Sequence, residues 1–172
     1  MAGFRLLSRL AIVFAFLLLP VFQQTATAEP AELAGKVIRI YDGDTIEVES
    51  VGKVRLIGID VPEFKASQRD RFYQRQNISP DTLRRTARRA RMFNIDHARG
   101  ERVRLSLDHQ FRDRYDRVLA YVHLPDGQLL NRLLLEAGLA SVYRRFKFRL
   151  KDDFLNAEAE ARRHGVGMWQ KQ

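Results

Sequence analysis

Five short β-branched runs, a serine-capped helix after the third run, and two further helices after the fifth predict an α+β chain, mainly β. The expected architecture is a five-stranded barrel carrying three helices. The first run starts at Gly35, with Lys36, Ile38 and Ile40 on one side and Val37, Arg39 and Tyr41 on the other, an imperfect alternation. Past the turn at Asp42-Gly43, Ile46 and Val48 alternate with Thr45, Glu47 and Glu49, so the two runs read as a hairpin. A third run, Val54 to Ile59, follows the turn Val51-Gly52-Lys53 and ends before Pro62, which cannot pair.

The segment Phe64 to Ile78 is polar and without a clean period, and reads as an exposed loop near substrate. Ser79-Pro80-Asp81 then starts a helix, with Ser79 as cap and Pro80 at the first helical position. Leu83, Ala87 and Ala90 form its apolar stripe. Arg84, Arg85, Arg88, Arg89 and Arg91 cover much of the rest, a solvated face before a phosphate-binding one. Strands resume at Arg102 to Asp108 and at Val118 to Leu124, the latter closed by Pro125-Asp126-Gly127. Helices over about Leu130 to Ala137 and Lys151 to His164 stop at Gly138 and Gly165. Five antiparallel strands with a helix between the third and fourth is the layout of a small, partly open OB-fold barrel.

The two ends bound the domain. Arg5 and Arg9, an apolar run from Leu10 to Phe22 and Ala26-Thr27-Ala28 make residues 1–28 a signal peptide cut after Ala28, with an uncleaved membrane anchor as the alternative. One domain, residues 29–172, remains, a length that suits a single core. The chain is basic, with 30 Lys and Arg against 21 Asp and Glu and a net charge of +9. An exported basic protein points to a polyanionic partner, nucleic acid ahead of envelope polymer, and to a secreted or periplasmic monomer without stable membrane association. The absence of cysteine excludes disulfides and thiolate metal sites. His97, His109, His123 and His164 lack metal-ligand spacing.

Three segments carry chemistry: Asp42-Gly43-Asp44-Thr45, Arg55 to Glu63 (Arg-Leu-Ile-Gly-Ile-Asp-Val-Pro-Glu), and Asp113-Arg114-Tyr115-Asp116-Arg117. Carboxylates suit a hard cation and a water, while arginines suit a phosphate. Together they are equipment for metal-assisted phosphodiester cleavage. Taken singly, each has an ordinary reading as a hairpin turn, a polar strand exit or an edge charge.

On these motifs, from about Gly35 to Trp169, the chain resembles the staphylococcal-nuclease-like (thermonuclease) family of calcium-dependent nucleases. The resemblance implies Asp44, Asp60 and the main-chain carbonyl of Val61 as metal ligands, with Asp42 in the outer shell. It implies Arg55, Glu63 and Arg117 as catalytic, and Arg114 and Tyr115 as contacts to phosphate. Asn131 and Gly138 match a structural pattern, and Gly167-Met168-Trp169 resembles an end whose tryptophan packs on the barrel. Asp116 stands where the family usually has glycine, and Tyr143 and Phe146 are the nearest candidates for a nucleotide-stacking pair.

The expected mechanism has a water ordered by the cation as nucleophile, Glu63 accepting its proton or positioning it, and Arg55 and Arg117 neutralising the transition state. Calcium, whose coordination is variable, is expected before magnesium. The alternative is a non-catalytic module that binds nucleic acid or an anionic polymer. Asp116 is expected to tolerate a left-handed turn, with two outcomes for its charge: competition for Arg117, or none.

Overall fold

The computed structural model describes residues 33–170, so the leader expected over 1–28 lies outside the described residues. In chain order the elements are β1 (Leu33–Ile40), β2 (Thr45–Val48), β3 (Gly52–Leu56), β4 (Ile59–Asp60), α1 (Asp70–Gln74), α2 (Pro80–Ala98), β5 (Arg102–Arg112), β6 (Val118–His123), α3 (Leu130–Glu136), β7 (Ser141–Val142) and α4 (Lys151–Arg163). A 3₁₀ turn, Gly167–Trp169, follows.

The barrel is the OB-fold expected from the sequence, but it is closed and not partly open: the order is β1-β2-β3-β6-β5, with β1 pairing β5. One pairing differs from the all-antiparallel expectation: β3 and β6 run parallel. The cause is the excursion through α1 and α2. The chain returns through β5, and β6, reversing on β5, then lies alongside β3 in the same direction.

The imperfect alternation of the first run is a β-bulge. Register slips between Val37 and Arg39, so Val37 and Ile40 both point inward while Ile38 is 50% exposed. The third run is shorter than expected because Gly58, at φ +81, bends the chain out of the barrel. A Cβ there would lie 2.7 Å from the Phe148 ring. Ile59 and Asp60 instead pair with Val142 and Ser141 in a separate two-stranded sheet.

Ile46, Val54, Leu56, Val103, Ala120 and Val122 fill the barrel, and Leu134, Leu135 and Phe154 of α3 and α4 close it. Asn131 ties α3 to β6 and to the bend that follows β3: its amide donates to Ile57 O (2.9 Å) and its oxygen accepts from Val122 N (2.9 Å). Ser79 caps α2 as expected, accepting from Thr82 N at 3.3 Å.

The segment 64–78 is not simply an exposed loop. It contains α1, and the aromatic residues that interrupt its polar run anchor it: Tyr73 is fully buried with Ile78, Leu83 and Met168, and Phe72 packs on that cluster. Trp169 belongs to this cluster too, under the Arg162 guanidinium (3.7 Å), and so packs beside α1 and α2 instead of on the barrel. Its turn is fixed by Met168 N donating to Gly138 O, 2.9 Å.

Candidate active site

The turn between β1 and β2 is built to hold Asp44. Asp44 N donates to Asp42 Oδ1 (2.9 Å), an Asx turn, and Tyr41 N and Asp42 N donate to Thr45 O. From α2, the buried Asn94 amide donates to Asp42 O (3.3 Å) and Gly43 O (3.0 Å). Gly43 is required by proximity: a Cβ would lie 2.6 Å from Ala90 Cβ and from Val61 Cγ1. So placed, Asp44 accepts from Val61 N (3.1 Å) and from the Thr45 hydroxyl (3.2 Å), and its Oδ1 contacts Arg55 Nη1. The β2–β3 register, Thr45 opposite Arg55, brings these two segments together.

Asp60 leaves β4 on the same side. Only 6% exposed, it accepts both Arg69 Nε contacts (3.0 and 2.9 Å) and the Tyr73 hydroxyl (2.8 Å), and lies 3.9 Å from Arg55 Nη2. Arg55 thus faces both aspartates, and it also donates to Ile59 O at 3.3 Å. Burial pulls its guanidinium pKa below the ordinary value. Asp60, Asp42 and Glu63 oppose that, while Arg117 adds to it. Asp42 has its carboxyl raised, chiefly by burial.

Glu63 follows Pro62 and is exposed, with no hydrogen-bond or ion-pair partner among the described residues. Desolvation first, then the charges of Asp42 and Asp60, raise its carboxyl above the usual range, against Arg55. Arg117 approaches from the other flank. It donates from Nη1 to the Thr45 hydroxyl (3.2 Å) and is held by Asp113 Oδ2, 2.8 Å from Nε and 2.7 Å from Nη2. Arg114 lies over the Tyr115 ring (4.7 Å) and donates to its hydroxyl (2.7 Å), and Tyr115 itself is 64% exposed.

Asp116 takes the left-handed conformation, φ 62, so the loop forms without glycine. Its carboxylate pairs with Arg112 (3.1 Å), not with Arg117. The competition for Arg117 that its position suggested falls to Asp113, which also accepts Tyr115 N and Arg117 N across the loop.

A cavity of about 580 Å³ joins these flanks. Arg55, Asp60, Arg114, Tyr115 and Arg117 line it, together with the aromatic candidates Tyr143 and Phe146, whose ring centroids are 5.2 Å apart. Asp42 and Asp44 in the turn, and Val61 and Glu63 after β4, do not line that cavity. Sequence reasoning assigns no role to Arg69 or Tyr73, and it places Asp113 in the third segment without a partner. Arg69 stacks on Phe72 (5.2 Å) and Tyr143 (5.1 Å) while holding Asp60. The Asp113–Arg117 spacing of four residues was visible, but which acid would turn toward the arginine was not.

The family model for staphylococcal nuclease homologues matches residues 53–171, which include Arg55, Asp60, Glu63 and Arg117. The chain belongs to the staphylococcal nuclease homologue family. Among relatives, an uncharacterized protein of Methanocaldococcus jannaschii is 36% identical over 78% of this chain and 70% of its own length. A thermonuclease of Staphylococcus hyicus is 31% identical over 86% of this chain and 82% of its own length. An uncharacterized endonuclease of Escherichia coli is 34% identical over 81% of this chain and 78% of its own length. The Asp42–Asp44 turn precedes the span matched by the family model, and Asp44 is joined to that span through Val61 N and Arg55.

Proposed function

We propose that this member of the staphylococcal nuclease homologue family hydrolyses phosphodiester bonds of DNA and/or RNA as a calcium-dependent endonuclease. One observation carries the reading: two buried aspartates from different segments face one guanidinium, with a second arginine a hydroxyl away.

The donor chemistry fits a hard cation. Asp44 and Asp60 are 7% and 6% exposed, and the positive charge of Arg55 already lies against both. Among the described residues no three acidic or histidine side chains form a ready cation cage. A cation would therefore be held by Asp44, Asp60 and the Val61 carbonyl with water completing the shell, a mixed set that favours calcium over magnesium. When bound, it supplies Lewis-acid polarisation of a phosphoryl oxygen and acidifies water.

The chain's own residues do the rest. Arg55 and Arg117 donate to phosphoryl oxygens as charge builds there, Arg117 exchanging the Asp113 carboxylate for phosphate. Glu63, unpartnered and with its carboxyl raised, accepts or directs the proton of the attacking water. Arg114 and Tyr115, at the cavity mouth, contact a neighbouring phosphate. We further infer cleavage of the leader after Ala28 and a secreted or periplasmic monomer, for which intact mass and size-exclusion chromatography of exported protein are the checks.

The test is cleavage of DNA and of RNA by purified protein in calcium, in magnesium and in chelator. Glu63→Gln and Arg117→Ala are expected to lower turnover by about a hundredfold or more. Arg55 is best changed to Lys, since Arg55→Ala would leave Asp44 without its cation. Full activity in chelator, or unchanged turnover in all three variants, would sink the mechanism and favour a binding module.

A further inference from the structure

We propose that the cleft between α2 and β1 is a second anion-binding site, one that holds the backbone of a nucleic-acid strand beyond the phosphate being cut. The proposal rests on the nuclease reading for the identity of its ligand. The cleft, about 190 Å³, is lined by Ile38, Arg39, Ile40, Arg91, Ile95 and Arg99: three guanidiniums, three isoleucines and no acid.

Its arginines differ from those at the active site. Arg55, Arg69 and Arg117 each face a carboxylate, whereas among the described residues Arg39, Arg91 and Arg99 have no acid within ion-pair distance. Glu47, opposite Arg39 in the β1–β2 register, accepts the Tyr41 hydroxyl at 2.7 Å, and Arg39 lies over the Tyr41 ring at 4.8 Å. Exposed Arg88 precedes Arg91 by three residues, so Arg88, Arg91 and Ile95 run along α2 at helical spacing, and Arg99 follows just past its end in extended backbone. Guanidiniums without a carboxylate partner beside an apolar floor fit a phosphodiester chain, whose charged links alternate with sugar and base surface.

The position points to the same ligand as the active site. Asn94, between Arg91 and Ile95 in sequence, holds the Asp42 and Gly43 carbonyls, and Ile40 ends β1 two residues before Asp42. The cleft therefore lies beside the turn that carries Asp44. The 580 Å³ cavity lies on the side of Arg55 and Asp60, and the two share no lining residue. The proposal requires a strand that crosses the turn from that cavity to the cleft. The β-bulge at Val37–Arg39 supplies the exposed Ile38 and turns Arg39 to the outer surface.

The experiment uses the full chain with Arg39, Arg91 and Arg99 all changed to Gln, its fold checked by thermal unfolding. Two substrates are compared: a dinucleotide, and a single strand of about 30 nucleotides, longer than the roughly 4–16 that one such barrel covers. The expected result is an unchanged kcat/KM on the dinucleotide and a KM raised about tenfold or more on the long strand. Binding to the long strand in chelator should lose about 2 units from its log–log salt slope, roughly 0.7 for each of three phosphates.

An unchanged long-strand KM and salt slope would overturn the proposal. So would an equal loss on both substrates, or a loss confined to binding of phosphatidylglycerol vesicles. If the wild-type protein cleaves nothing yet binds the long strand with a slope that the triple variant loses, the cleft stands and the nuclease reading falls.

Discussion

Tyr73→Phe tests how the fold presents Asp60. The substitution removes one oxygen and leaves the ring in its apolar cluster with Ile78, Leu83 and Met168. That oxygen lies 2.8 Å from Asp60 Oδ2, 3.0 Å from Asp60 O and 3.1 Å from Ser141 Oγ, all in buried surroundings. Burial, then the charge of Asp60, raises the phenol well above its ordinary pKa, so the hydroxyl stays protonated and keeps donating. Its loss removes a donor to a charged group, worth about 1.5–3 kcal/mol, while Arg69 still holds the carboxylate. For a domain of this size that is a fall in Tm of roughly 4–8 °C. Asp60 would also lose one of the two groups that fix its rotamer, Arg69 being the other, and groups in that position typically contribute 10- to 100-fold to cation affinity. Calorimetry gives the first quantity and a calcium titration of cleavage the second. The expected outcome is a raised half-saturating calcium concentration with kcat at saturation within a few fold. An unchanged Tm together with an unchanged calcium requirement would refute the reasoning, and a fall in kcat alone would show that the hydroxyl acts on substrate instead.

Three other substitutions discriminate among details. Gly43→Ala should abolish most cleavage with a smaller effect on stability, because its Cβ would press on Ala90 and on Val61 and shift the turn that holds Asp44; chelator-insensitive unfolding curves alongside an activity assay check this. Asp116→Gly should leave the cleavage rate within about twofold and alter stability by no more than about 1 kcal/mol, since the left-handed strain relieved and the exposed Arg112 pair lost are both small; a large rate gain would show that Asp116 reaches Arg117 after all. Asp108→Asn addresses acid stability. Burial raises the Asp108 carboxyl, but the Tyr121 hydroxyl (2.5 Å), Arg149 N (2.7 Å) and His109 N (2.7 Å) outweigh it, and the net shift is downward. Its contribution is therefore present above the unfolded value near pH 3.9 and is lost as pH falls through the folded one. Urea unfolding should show the variant weaker by about 1–3 kcal/mol at pH 7, with the difference closing toward pH 3.

Most elements of the barrel were legible because they are governed by local rules. Ser79-Pro80 began α2, Asp42-Gly43 made the first hairpin turn, and alternation in Val103, Leu105 and Leu107 marked β5. What escaped reading depends on the third dimension. The bulge at Val37–Arg39 appears in sequence only as bad alternation, since one extra residue flips the faces without leaving a residue-type signature. The β4–β7 pair is two residues long on each side, below the length at which any periodicity exists. Tyr73 sits among arginines and glutamines that look like loop, and its burial is set by Ile78, Leu83 and Met168, the last distant in the chain.

The candidate site divides along the same line. Residue type and order were enough to bring Asp44, Arg55, Asp60 and Arg117 to one place, but the pairings among them follow from backbone direction. Asp113 accepts Tyr115 N and Arg117 N because the loop is wound tightly around it, and that winding presents its second oxygen to the Arg117 side chain. Asp116, at φ 62, is turned the other way, toward Arg112. Sequence order drew attention to Asp116, the immediate neighbour of Arg117, but the backbone turns that residue away and gives the arginine to Asp113, four residues before it. The candidate-site arginines are paired with carboxylates, whereas among the described residues those of the cleft are not. A phosphate approaching Arg117 has to displace a carboxylate, whereas one approaching Arg91 or Arg99 has no carboxylate to displace. Long substrates should therefore gain their affinity at the cleft and their rate at the turn, and kcat and KM should respond to different arginines.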